Sequence, residues 1–105
     1  MYLNVFRSRK RADMDAAAYA ADAARMEALA AQQPGYIAYR FYLSEDGEGL
    51  SLSEWDSEAH ARAWAAHAEH VLVQARGRTA YYDSYTVYSC NQPQVRAFSR
   101  QETAR

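Results

Sequence analysis

With 105 residues, the chain has room for one domain with a small core. Half of its residues are apolar, 24% are charged and the net charge is −1, an ordinary globular composition without the basic footprint of a nucleic-acid binder. No apolar run approaches the roughly 20 residues of a membrane-spanning helix, and the opening MYLNVFRSRK is mixed and strand-like rather than a signal peptide, so the expected compartment is the cytoplasm and no membrane partner is expected.

The lone Cys90 excludes an internal disulfide and cannot build a zinc site alone; its apolar, alternating surroundings read as those of a buried, inert thiol. Nine tyrosines, each an apolar ring with a polar tip, suggest wet-edged pockets or subunit interfaces.

In chain order, residues 2–9 (YLNVFRSR) read as a strand by alternation. Residues 13–33 read as a long alanine-rich helix, with Asp13 as N-cap and Pro34-Gly35 as its stop. Residues 36–44 (YIAYRFYLS) are aromatic and apolar, hence a strand; Glu45–Gly49 is a hairpin turn, and LSLSEW (50–55) returns. Ser57 caps a helix over EAHARAWAAH, helical pattern resumes or continues through 69–78, and 80–90 (AYYDSYTVYSC) is the last strand. Residues 1–90 then form the domain, and residues 91–105 form a polar surface tail.

The order β-α-β-β-α-β predicts an α+β, ferredoxin-like fold, an antiparallel sheet with helices on one face. Simple alternation puts Tyr36, Ala38, Arg40 and Tyr42 opposite Ile37, Tyr39, Phe41 and Leu43, and Tyr81, Tyr85 and Val87 opposite Tyr82, Thr86, Tyr88 and Cys90. Both faces are rich in large apolar groups, and two helices cover only one, so a second copy of the chain is expected on the other, as a C2 homodimer packed sheet against sheet.

The segments VFRSR, AARMEALAAQQPG, the hairpin with EDG, LSEWDSEAHARAW and AEHVLVQARGRTAYYDSYTV together resemble the antibiotic biosynthesis monooxygenase family over roughly residues 3 to 90. The resemblance implies a dimeric α/β barrel. It also implies a function drawn from cofactor-free oxygenation of aromatic polyketides, haem degradation or quinol oxidation. In the anthrone-oxidising type, the pocket Trp at the end of the third strand corresponds to Trp55. The Asn four residues earlier corresponds to Ser51, the strand Tyr to Phe41 and the helix Tyr to Ala61. In the haem-degrading type, Trp55 and Trp64 keep the spacing. The axial histidine position holds Gln74, and the strand Asn falls near Phe6 or Arg7.

His60, Trp64, His67 and Val71 share one stripe of a continuous helix, beside the apolar stripe Ala61, Ala65, Ala68 and Leu72. That places Trp64 and His67 at the edge of a helix–sheet pocket and leaves His70 more exposed. One reading makes Trp64 core and His67 a rim residue bonded to backbone. Another makes both pocket-lining, with His67 as proton acceptor. A third makes His67 or His70 a metal or haem ligand, although a firm site needs three or four converging ligands. Ser51, Ser53 and Trp55 alternate onto one strand face, as a cavity floor or as a gap filled by an aromatic. Tyr39 and Tyr82 would add phenols to the same cavity, or pack at a dimer interface. Arg7, Arg9, Lys10 and Arg11 read as a solvated strand end.

The chain has no phosphate loop, no GxSxG and no CxxC. The expected function is a cofactor-independent monooxygenase using O2 on a small aromatic, polyketide or quinol-like compound. His67 would be the base, Trp55 and Trp64 the walls, and Ser51, Ser53, Phe41, Tyr39, Tyr82, Phe6 and His70 the substrate contacts. No metal or other cofactor is expected, haem entering only under the alternative of haem binding or degradation; a non-catalytic ligand-binding dimer is the other alternative.

Overall fold

Strands β1 (Tyr2–Lys10), β2 (Tyr36–Leu43), β3 (Gly49–Trp55) and β4 (Tyr82–Asn91) alternate with helices α1 (Ala16–Ala30), α2 (Glu58–Ala65) and α3 (Ala68–Arg76), and a π turn at Gly77–Tyr81 leads from α3 into β4. The computed structural model describes residues 1–100; of the tail expected over 91–105, residues 101–105 lie outside the described residues. The sheet is antiparallel in the order β2-β3-β1-β4, with the helices on one face, so the ferredoxin-like expectation holds. Among the described residues, no helix is long and apolar enough to cross a membrane.

Local chemistry moves several boundaries. Asp15, not Asp13, caps α1: its Oδ1 accepts from the Ala18 N–H at 3.0 Å, while Asp13 is drawn off by Arg11 at 2.9 Å. The helix ends at Ala30, and the chain turns through Gly35, whose φ of 84° suits glycine. Of the two alternatives for 69–78, the helical pattern resumes rather than continues: it breaks at Ala66–His67, where His67 becomes the N-cap of α3, its Nδ1 accepting from the Glu69 N–H at 3.3 Å.

Two bulges change which residues share a face. Tyr36 pairs with Trp55 but Ala38 with Glu54, so Ile37 is an extra residue. Tyr36 therefore joins Tyr39 and Phe41 on the face of Ser51, Ser53 and Trp55, contrary to simple alternation. A second bulge pairs Arg9 with Ser84 and Lys10 with Tyr82, leaving Asp83 over. It brings Tyr82 to the face of Tyr85 and Val87 and removes it from that of Thr86 and Tyr88.

Between the helices and the sheet there is little solid core. Among the described residues, the buried apolar side chains are Met26, Trp55, Ala61 and Tyr81. The remaining space is a cavity of about 520 Å³. On the other face of the sheet lie Leu3, Val5, Leu50 and Leu52, part-buried, with Tyr42 and Tyr88 exposed.

Candidate active site

The cavity is floored by alternate residues of all four strands and roofed by the three helices. Its volume lies in the range of small-molecule sites. Tyr85 and Val87, 40% and 50% exposed, mark where it opens along the edge strand β4.

One end is an aromatic stack. The Tyr36 ring meets Trp55 edge-on at 5.8 Å, Trp55 stacks on Trp64 at 6.4 Å, and Trp64 stacks on His70 at 4.5 Å with an interplanar angle of 11°. Trp55 is 1% exposed, yet its indole Nε1–H has no hydrogen-bond partner among the described residues. A buried donor left unpaired costs about 1–3 kcal/mol.

His70 occupies the place expected of His67. The break at Ala66–His67 turns α3 so that His70, Val73 and Gln74 line the cavity, while Val71 and Leu72 of the expected stripes are exposed at 46% and 63%. His70 Nδ1 lies 3.1 Å from the carbonyl oxygen of Trp64, at the C-terminal end of α2. A carbonyl only accepts, so Nδ1 carries the proton and Nε2 is left with a lone pair. Burial pushes the His70 pKa below the ordinary histidine value, against the opposing pull of that hydrogen bond. His67 caps α3 with its ring 5.5 Å from Trp64 and does not line the cavity, and His60 bonds Asp56 at 2.7 Å away from it.

The other end is phenolic. The Phe6 ring contacts Tyr82 at 5.4 Å and Tyr85 at 5.1 Å, and Tyr19 stands edge-on to Tyr82 at 6.2 Å. Between the ends, Tyr39 Oη and Ser51 Oγ are 3.1 Å apart, and Ser89 Oγ donates to Asn4 Oδ1 at 2.8 Å. Burial raises the pKa of Tyr39, partly offset by Ser51, and raises that of Tyr82 well above the ordinary phenol value, so both stay neutral donors. Ser51, Ser53, Tyr39, Tyr82 and Phe6 line the cavity. Phe41 does not line it; the residue is 43% exposed and its ring lies beside Lys10 and Gly49.

Sequence reasoning missed Asp22. This carboxylate on α1 is 9% exposed and lines the cavity wall. Its Oδ2 accepts from Tyr81 Oη at 2.6 Å and lies 3.3 Å from Arg76 Nε, and its Oδ1 lies 3.4 Å from Arg25 Nη2. The phenol donates to an anion, which holds the Tyr81 pKa up, and burial adds to this. The available signal was Asp22 itself, one of two acids with Glu27 in the alanine-rich α1.

Gln74, at the axial position of the haem-degrading type, lines the cavity. Among the described residues no three His, Cys, Asp or Glu side chains gather as a metal site.

The model of a family described as antibiotic biosynthesis monooxygenase matches residues 1–76. The protein YqjZ of Bacillus subtilis (strain 168), described as uncharacterized, is 39% identical over 69 residues; the match spans 66% of this chain and 60% of that protein. Among solved structures, Rv0793 of Mycobacterium tuberculosis superposes with a TM-score of 0.77 at 16% identity, covering 91% of this chain and 98% of that one. SnoaB of Streptomyces nogalater, a cofactor-independent oxygenase, superposes with a TM-score of 0.73 at 17% identity, covering 90% and 94%. At these identities, the structural likeness is one of fold.

Proposed function

The chain belongs to the antibiotic biosynthesis monooxygenase family, and from that premise we propose that it is a cofactor-independent monooxygenase of small aromatic, polyketide or quinol-like compounds, acting as a cytoplasmic homodimer. The observation that carries this reading is His70: a neutral imidazole with its proton fixed on Nδ1 and its Nε2 available in an aromatic cavity. In this reading Nε2 takes a proton from a phenol or an enolisable ring. The resulting anion passes one electron to O2, the radical pair combines at a ring carbon that bears a hydrogen, the peroxide anion takes the proton back from His70, and loss of water from the hydroperoxide leaves a carbonyl. One oxygen atom enters the product and the other leaves as water, with all electrons coming from the substrate.

The protein supplies the base, dry aromatic walls in Trp55 and Trp64, and neutral hydroxyls of Tyr39, Ser51 and Tyr82 for the developing anion. Ser53 and Phe6 complete the substrate contacts. SnoaB, described as cofactor-independent, supports the absence of a cofactor.

Oxygen uptake with a panel of hydroquinones and enolisable polycyclic phenols tests the reading. Uptake above the protein-free rate with at least one of them is expected. Binding without uptake would make the cavity a carrier site, and neither binding nor uptake would remove the reading.

The homodimer would cover Leu3, Val5, Leu50, Leu52, Tyr42 and Tyr88. Sedimentation at micromolar concentration is expected to give twice the mass of 11.9 kDa. Leu52→Glu, which puts an unpaired charge at the centre of that face, is expected to give monomers.

A further inference from the structure

One rung of the cavity floor is polar from edge to edge of the sheet. Tyr39 is in register with Ser53, Ser53 with Asn4, and Asn4 with Ser89, so each of the four strands contributes one residue. All four line the cavity. The neighbouring rung on one side is aromatic where it lines the cavity, with Tyr36, Trp55 and Tyr2. Within the polar rung, Tyr39 Oη turns to Ser51 Oγ at 3.1 Å, and Ser89 Oγ donates to Asn4 Oδ1 at 2.8 Å. The second bond engages the acceptor of the Asn4 side chain and leaves its amide N–H groups over. Among the described residues, neither Asn4 Nδ2 nor Ser53 Oγ has a hydrogen-bond partner on the chain. Both residues are part-buried, and neither atom is sealed from solvent as Trp55 Nε1 is.

Residues directly opposite each other on paired strands carry Cβ atoms about 4.5–5.5 Å apart. A single oxygen seated over Asn4 and Ser53 can therefore accept from both side chains. The amide nitrogen only donates, and the hydroxyl can donate, so the pair suits an atom that only accepts, such as a carbonyl oxygen with its two lone pairs. We propose that Asn4, held by Ser89, and Ser53 form a carbonyl-oxygen subsite on the cavity floor, and that Asn4 selects phenols conjugated to a ketone or aldehyde over phenols that bear only alkyl groups. Such a phenol enters neutral, so His70 keeps its part as the proton acceptor. Once the proton is removed, conjugation spreads the negative charge to the carbonyl oxygen, where the two donors meet it. The subsite rests on the cavity being the ligand site, as proposed above, and narrows the ligand class to hydroxyaryl carbonyl compounds.

The test is equilibrium dialysis with para-hydroxyacetophenone and with para-ethylphenol, which match in size and differ in the carbonyl oxygen. It is run under nitrogen, so that binding is read without turnover, at about pH 6.5, where both phenols are neutral. Burying a carbonyl without a donor is unfavourable, so a cavity lacking the subsite would prefer the ethyl compound. The wild-type protein is expected to bind the ketone about fivefold or more tighter instead. Asn4→Leu keeps the bulk and removes the donor. Asn4→Asp keeps the shape and the acceptor for Ser89 but puts an acceptor where the donor was. Both substitutions are expected to abolish the preference for the ketone while weakening para-ethylphenol by less than about twofold.

Equal affinities in the wild type, or tighter binding of para-ethylphenol, would overturn the subsite and leave the cavity reading standing. So would a preference for the ketone that survives in either variant. Equal losses for both probes in both variants would overturn it as well, because an asparagine that only supports the strand would act that way. Failure of both probes to bind the wild type would overturn the subsite together with the reading beneath it.

Discussion

Replacing His70 by glutamine is expected to lower kcat by about 10²-fold or more, the ordinary contribution of a positioned base. Glutamine can still donate to the Trp64 carbonyl but has no basic nitrogen. His67→Ala is expected to change kcat by less than about twofold, because His67 is a helix cap outside the cavity. Steady-state oxygen uptake separates the two, and equal effects of both substitutions would sink the assignment of the base. The pH dependence follows from the same burial. With its pKa depressed, His70 stays neutral and basic below about pH 6.5, the ordinary histidine value, so activity should persist there and fall only at lower pH.

Stability follows with the same sign. Between the folded and unfolded pKa values, the unfolded chain binds more protons, so stability rises with pH. The contribution of His70 is present above the unfolded value and is lost as the pH falls through the folded one. Urea midpoints of wild type and His70→Gln should therefore converge as the pH is lowered.

Asp22→Ala is expected to cost about 3 kcal/mol, the second large effect. The substitution leaves the buried Tyr81 hydroxyl without its acceptor at 2.6 Å and frees Arg76, so it uncouples α1 from both the π turn and α3. For a domain of about 100 residues this corresponds to a Tm lower by about 12 °C or more. Tyr81→Phe, which removes one hydroxyl and leaves the Arg76 contact, should cost about 1 kcal/mol. Thermal melts of the two single variants and the double variant give the coupling between them. A double variant no worse than Asp22→Ala would confirm that both residues act through the one bond, whereas strict additivity would show that they act separately.

The order of elements was legible because its signals are local. Pro34-Gly35 stops a helix, Glu45–Gly49 turns a hairpin, Ser57 caps α2, and LSLSEW alternates without interruption, which put Ser51, Ser53 and Trp55 on the correct face. What stayed hidden depends on pairing between segments distant in sequence. Neither Ile37 nor Asp83 announces itself as an extra residue, because a bulge is defined by its partner strand; each one flips the faces on either side of it. The break at Ala66–His67 is equally silent, since alanine carries no helix-stop signal and a histidine cap is uncommon. That single break moved His70 into the cavity and His67 out. Lys10 reads as part of a solvated strand end because its neighbours are arginines, and its contacts with Tyr19 and Phe41 arise only once α1 lies over the sheet and β3 joins β2 to β1.

The stack of Trp55 on Trp64 also makes the molecule its own optical probe. These are the chain's only two tryptophans, they touch each other, and both form the cavity wall. Whatever enters the cavity changes the surroundings of every indole in the protein at once. Intrinsic fluorescence should therefore register occupancy without any label and without turnover. Compounds can then be sorted into those that enter and those that do not before any reaction is known, and Trp64→Phe would tell which of the two rings carries the signal.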